Sequence, residues 1–377
     1  MPAPPLPMLF IVDGSVAVTG ALVSAARQAK LLAGEVETIL ALPRGHQVPP
    51  TRTAMFAEVI ELPIIPLRKT LASLLAYGPA LVAGSLKLRR EMRQRGCERL
   101  QLNDFYLSHG AILRLLGFRG RIVTFVRIDP TRFGIAGRIW LAAARWSSTE
   151  LVAVSRFIQG LLGPRFPSQL VYEHMKPGPV ATELPTLATR ILLFVGNFIA
   201  GKGQDDAVAA FNRIASRFPD ARLRLVGGDM GLAKNRDFRQ RLVNLAGQGP
   251  AANRIEFRGA SDDLGADYAE AFAALNFSVS ESFSMTCLDA SAAGLPVIAT
   301  RCGGPEEIVD DGVTGFLVPV GDVAAMTERM AWLLDHPADA AAMGAAGRDL
   351  VARRFAPELA RSALKATLGL APAGRLR

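Results

Sequence analysis

Glu281-Ser282-Phe283-Ser284-Met285-Thr286-Cys287-Leu288-Asp289-Ala290-Ser291-Ala292-Ala293-Gly294-Leu295-Pro296-Val297-Ile298-Ala299-Thr300 reads from its middle outward as a helix over about Ser284 to Ala293. Gly294 closes that helix, and the apolar strand Pro296 to Thr300 follows at once. Upstream, Leu275-Asn276-Phe277-Ser278-Val279 is a second strand that runs into a polar loop. Strand, loop, helix and strand in that order call for a parallel sheet covered on both faces.

The same alternation extends to both ends. Met8-Leu9-Phe10-Ile11-Val12 is a continuous apolar run of the kind buried parallel strands show, and a helix over Ala21 to Ala33 follows it. Further runs at Val36 to Ala41, Arg99 to Leu102, Ile122 to Val126 and Leu151 to Val154 complete a first series. Pro177, Gly178, Pro179 and Pro185 interrupt it with a linker over Lys176 to Thr189. A second series opens at Ile191-Leu192-Leu193-Phe194-Val195 and continues through Leu223 to Val226 and Ile255 to Phe257. Two doubly wound α/β domains are expected, residues 1–180 and 181–355, with a last helix in 356–377 that packs back on the first. Their ligand crevices, at the carboxyl ends of the strands, are expected to face each other across a cleft.

Composition narrows the function classes. The chain has 377 residues, half of them hydrophobic, which suits two globular domains. Cys97, Cys287 and Cys302 are odd in number and far apart, so neither a disulfide framework nor a zinc site is indicated. The start, Met1 to Pro7, has no cationic region and does not read as a secretory signal, so a cytoplasmic location is expected, with peripheral contact at the inner membrane face. Thr70 to Leu86 carries no charge but falls short of a membrane span, and Gly78-Pro79 argues against one continuous helix there. Residues 1–180 carry a net charge of +11 and the remainder −2. The run Lys87, Arg89, Arg90, Arg93, Arg95 and Arg99 points to an anionic membrane surface or a phosphorylated acceptor, and no nucleic-acid-binding motif accompanies it.

The chemistry concentrates in the opening stretch. A helix that starts beyond a strand end presents the amides of Phe283, Ser284, Met285 and Thr286 to an anion such as a diphosphate. Glu281 and Asp289 flank this cradle, and carboxylates suit the gripping of sugar and ribose hydroxyls. At the head of the second series, Val195-Gly196-Asn197-Phe198-Ile199-Ala200-Gly201-Lys202-Gly203 is a strand and a glycine turn, where Lys202 supplies a point charge for a phosphate.

Continued by Arg301-Cys302-Gly303-Gly304-Pro305-Glu306-Glu307-Ile308, the opening stretch resembles the donor-site signature of glycosyltransferase family 4. Glu150-Leu151-Val152-Ala153-Val154-Ser155 is a further local match. The resemblance implies the GT-B architecture, two Rossmann-like domains with the acceptor on the first and a nucleotide diphosphate-sugar on the second. It also implies retention of anomeric configuration and a hexosyl-type transfer to a hydroxyl of a glycan or lipid-linked acceptor, with no metal and no cofactor besides the donor substrate. In its terms Glu281 and Lys202 are the catalytic pair, Gly196, Asn197, Phe283 to Thr286 and Asp289 bind the donor, and Gly20, Asp104 and Arg127 lie on the acceptor side.

The sequence departs from the family pattern at three places. Asn197 stands where an Arg is usual, Asp289 where a second Glu is usual, and Phe125 where a His often sits. These departures frame a rival expectation, a sugar-nucleotide-binding scaffold that has lost turnover. No Asp-x-Asp occurs. His109 and His174 have no second ligand at metal spacing and read as structural residues.

Overall fold

The computed structural model describes residues 6–65, 71–176, 190–261 and 263–370, and it divides into two compact units, Met1–Glu173 with Pro357–Arg377, and His174–Ala356. The linker expected over residues 176–189 lies almost wholly outside the described residues.

Among the described residues, the first unit is built on seven strands: β1 (Met8–Val12), β2 (Glu37–Pro43), β3 (Glu58–Leu62), β4 (Arg99–Leu102), β5 (Arg121–Val126), β6 (Glu150–Ala153) and β7 (Gln169–Leu170). They pair in parallel in the order β3-β2-β1-β4-β5-β6-β7. Parallel strands need crossovers, which α1 (Gly20–Leu31), α2 (Leu71–Gln94), α3 (His109–Leu115), α4 (Gly134–Ser147) and α5 (Arg156–Leu162) supply. Thr19 starts α1 by accepting a hydrogen bond from the Leu22 amide at 3.2 Å.

The second unit repeats the scheme with β8 (Ile191–Val195), β9 (Arg222–Val226), β10 (Ile255–Arg258), β11 (Ala273–Asn276), β12 (Val297–Thr300) and β13 (Gly315–Val318), parallel and ordered β10-β9-β8-β11-β12-β13. Its helices are α6 (Gln204–Ile214), α7 (Ala233–Gly247), α8 (Gly265–Glu270), α9 (Met285–Ala292), α10 (Val323–Asp335) and α11 (Pro337–Arg354). Phe194, Phe198, Phe211, Phe277 and Leu223 form the centre of its core. The last helix, α12 (Pro357–Thr367), belongs to the first unit. It packs on α1, and Arg121 donates to the Thr367 carbonyl at 2.7 Å.

Two expectations are corrected. Pro79 does not divide its segment, because α2 runs continuously from Leu71 to Gln94. A proline removes the bond to the carbonyl four residues earlier, and here Leu75 and Pro79 both lie on an exposed part of the helix. The strand expected at Leu275 to Val279 is β11, which ends at Asn276. The Asn276 side chain accepts from the Ser278 amide at 3.2 Å and turns the chain out of the sheet.

Candidate active site

In the second unit the strand order reverses between β8 and β11, so the loops leaving their C-terminal ends adjoin. The first runs over residues 196–203 into α6, the second over 277–284 into α9. Gly203 permits their contact. It holds φ at +82°, and a Cβ there would stand 2.2 Å from the Phe277 carbonyl oxygen.

Glu281 is fixed through its backbone. Its N–H donates to the Cys302 carbonyl at 3.2 Å, and its carbonyl accepts from the Gly304 amide at 2.7 Å. Its side chain turns to Lys202, whose Nζ lies 2.6 Å from Oε1, and Ser278 Oγ donates to the same oxygen at 2.8 Å. Oε2 therefore makes no hydrogen bond to the described residues. A lysine ammonium carries three donors, so two N–H groups of Lys202 remain for a ligand. Burial disfavours that ammonium, but the Glu281 carboxylate outweighs it and holds the Lys202 pKa above its usual value.

Beside this pair α9 begins. Ser284 is its N-cap, one residue before the helix, and accepts from the Cys287 amide at 3.3 Å. Asn276 Nδ2 orients the cap, donating to Ser284 Oγ at 2.9 Å and to Thr286 Oγ1 at 3.1 Å. The amides of the first turn have no carbonyl within the helix, so the start of α9 favours an anion. Phe283 is buried edge-on against Phe355 at 5.4 Å and anchors the loop. Asp289 sits further along α9, half-buried. Burial pushes the thiols of Cys287 and Cys302 up to about 12 and about 11, so neither supplies a thiolate nucleophile near neutral pH.

Gly196 and Asn197 are held as scaffolding of the β8 loop. Both carbonyls accept from Gln204 Nε2, at 3.2 and 2.9 Å, and Asn197 Oδ1 accepts from the Gly228 amide at 3.3 Å. The residue that stands in place of a cation thus ties the loop after β8 to the loop after β9. Ser278 and Asn276 were not singled out in the sequence, although an asparagine inside a buried apolar run was a usable signal.

The first unit has the matching reversal between β1 and β4. Asn103, just after β4, donates to the Asp13 carboxylate and to the Ala21 carbonyl at 2.9 Å, and its Oδ1 accepts from Arg127 Nε at 2.9 Å. Arg127, expected on the acceptor side, lies in the first unit just after β5. Its guanidinium is buried in an ion pair with Glu173 and donates to Ser24 Oγ at 2.6 Å, so its charge is already neutralised. Gly20 is the exposed first residue of α1. Among the described residues no group of three His, Cys, Asp or Glu is placed to hold a metal ion.

Asp104 is buried too. Oδ1 accepts from the amides of Phe105 at 2.9 Å and Arg127 at 3.2 Å, whereas Oδ2 has no partner. Burial drives its pKa up to about 7, against roughly 3.9 unfolded. A raised carboxyl binds its proton more tightly in the folded state, so its contribution to stability is complete below the unfolded pKa and is lost as pH rises through about 7. Asp104→Asn keeps the Oδ1 acceptor and cannot ionise. Its melting temperature should fall less than that of the unaltered chain between about pH 5 and 8; identical slopes in a pH series of thermal melts would contradict the assignment.

Known proteins resemble this chain in sequence and in fold. Residues 189–336 match the family described as Glycosyl transferases group 1. The GDP-mannose-dependent alpha-(1-6)-phosphatidylinositol monomannoside mannosyltransferase of Mycolicibacterium smegmatis is 32% identical over 227 residues, 52% of this chain and 55% of that one. The N-acetyl-alpha-D-glucosaminyl L-malate synthase of Bacillus anthracis is 31% identical over 249 residues, 63% of each chain. The matched regions thus cover little more than half the length of these curated relatives. Among solved structures, Anabaena HepE in complex with UDP-glucose superimposes with a TM-score of 0.79 at 17% identity, over 96% of this chain and 99% of that one. Sucrose-phosphate synthase from Thermosynechococcus elongatus gives 0.78 at 20% identity, over 96% and 98%. The second unit thus carries a segment that matches the group 1 glycosyltransferases, and the two Rossmann-like parallel-sheet units have the GT-B fold.

Proposed function

We propose that the protein transfers a sugar, with retention of configuration and without a metal, from a nucleotide diphosphate-sugar to a hydroxyl of a glycan or lipid-linked acceptor. The observation that carries this reading is the Lys202–Glu281 pair at the start of α9, with Oε2 and two Nζ protons open. A developing diphosphate meets Lys202 and the amides of Ser284 to Thr286, where fixed donors stabilise charge as it forms. Glu281 Oε2 accepts from a hydroxyl of the transferred sugar and orients it. As the family resemblance implies, the leaving phosphate takes the proton of the incoming hydroxyl on the same face. The intact pair favours turnover over the scaffold reading. A thermal-shift panel of UDP-, GDP- and ADP-sugars tests donor binding: a ligand at 100 times its dissociation constant adds about 2.7 kcal/mol of stability, and no shift with any of them would oppose the reading.

An anionic membrane face is the partner we assign to α2. In the basic run, Lys87 is bonded to the Glu61 carbonyl, Arg95 to Glu58 and Glu91, and Arg99 to the Gly369 carbonyl. Arg89, Arg90 and Arg93 remain and line one surface with Leu86. Each contributes about 1 kcal/mol at an acidic bilayer, so sedimentation with acidic vesicles should fall with salt and with charge reversal at these three. Equal partitioning to neutral vesicles would contradict it. Among the described residues no helix is long and apolar enough to cross a membrane.

A further inference from the structure

The first unit contains a cavity of about 260 Å³ that the donor chemistry does not use. It opens beside the C-terminal ends of β1, β4 and β5, where doubly wound sheets place their ligands, and Gly14, Tyr106 and Ile128 come from those ends. Ile64, Tyr77, Leu81, Phe133 and Trp140 complete much of the wall, and no Asp, Glu, Lys or Arg lines it. The rings are mutually braced, Phe133 against Trp140 at 5.6 Å and Tyr106 against Trp140 at 6.4 Å, both edge-on. An apolar cavity of ~150 Å³ stays dry and takes up benzene, so this one accommodates a chain segment of several carbons.

One polar group is set in the wall. His109 is 3% exposed, and both of its ring nitrogens lack a hydrogen-bond partner. Burial pushes its pKa down to about 4, so the imidazole is neutral and adds no charge to the wall. A buried polar side chain without a partner costs stability, and His109 is one of the residues that line the cavity.

The surroundings say where such a ligand comes from. Phe133 and Ile65, which line the cavity, are also exposed. Phe133 leads directly into α4, on which Ile135, Ile139 and Trp146 are 75%, 63% and 59% exposed. Spaced by four and seven residues, these three form one apolar stripe along the helix. Arg138 and Arg145 are exposed on the same helix, and Arg132 just before it. An apolar stripe flanked by arginines suits a helix lying at the boundary between headgroups and acyl chains, with the arginines on lipid phosphate.

We propose that this cavity is an acceptor subsite that holds the apolar chain of a lipid-linked acceptor, taken from an anionic bilayer against which α4 lies. The proposal rests on the glycosyl-transfer reading and narrows its acceptor. The test uses the full chain with Trp146→Phe and Trp332→Phe, so that Trp140 alone reports, titrated with decyl phosphate, decanol and inorganic phosphate. Decyl phosphate and decanol should shift Trp140 emission saturably, and inorganic phosphate should not. Leu81→Phe fills the cavity and should raise the half-saturating decyl phosphate concentration at least about tenfold. Ile139→Glu, an exposed change that spares the core, should reduce binding to acidic vesicles while leaving decyl phosphate binding as it was. A flat Trp140 response, or equal affinity in Leu81→Phe, overturns the proposal. Nucleotide diphosphate binding measured on the same samples separates the two readings: its loss counts against the donor site, and its retention beside a flat Trp140 response counts against the cavity alone.

Discussion

Replacing Glu281 with alanine should lower kcat by about a hundredfold or more while leaving affinity for the nucleotide diphosphate nearly intact, a loss of ~2.7 kcal/mol of transition-state stabilisation. The split follows from the geometry. The diphosphate is received by Lys202 and the amides at the start of α9, whereas the open oxygen of Glu281 faces a neutral hydroxyl. Alanine preserves the backbone bonds of residue 281 to Cys302 and Gly304, so the loop should keep its course. Without the carboxylate, Lys202 loses the partner that raises its pKa and turns fully to the phosphate, which works against any loss of product affinity. Normal turnover in steady-state assays of this variant would remove Glu281 from the site.

Lys202→Ala should show the opposite division. Loss of a charge-assisted contact is worth about 1.5–3 kcal/mol, so product inhibition by the nucleotide diphosphate should weaken by at least an order of magnitude. The change also strips Glu281 of its cation and leaves Ser278 as the one remaining hydrogen-bond partner of its carboxylate among the described residues. The double variant should therefore cost less than the two single losses added together, because each single change already disturbs the shared pair. Unchanged product inhibition in Lys202→Ala would count against a phosphate at Nζ.

Strand and helix identities were legible because buried parallel strands are written as continuous apolar runs such as Met8 to Val12 and Ile191 to Val195. One helix start was legible as well: it was placed at about Ser284, which caps α9. What sequence order hides is pairing across the sheet. Lys202 and Glu281 were each singled out, but their contact depends on β8 lying beside β11, a neighbourhood that topology creates and spacing does not record. Asp13 and Asn103 meet for the same reason, β1 lying beside β4. The ion pair of Arg127 was hidden in the same way, because Glu173 lies 46 residues away and carried no signal of its own. At Pro79 a local rule failed, for α2 continues through the proline on an exposed part of the helix.

The central claim is that the Lys202–Glu281 pair serves sugar transfer from a nucleotide diphosphate-sugar. The most direct test is release of nucleotide diphosphate by the purified chain, and by Glu281→Ala beside it, from whichever donor stabilises the fold in the thermal-shift panel. Proton NMR of the product reports the anomeric configuration. The expected result is donor consumption with retention, reduced about a hundredfold or more in Glu281→Ala. A donor that binds yet is never consumed, or a product of inverted configuration, would contradict it.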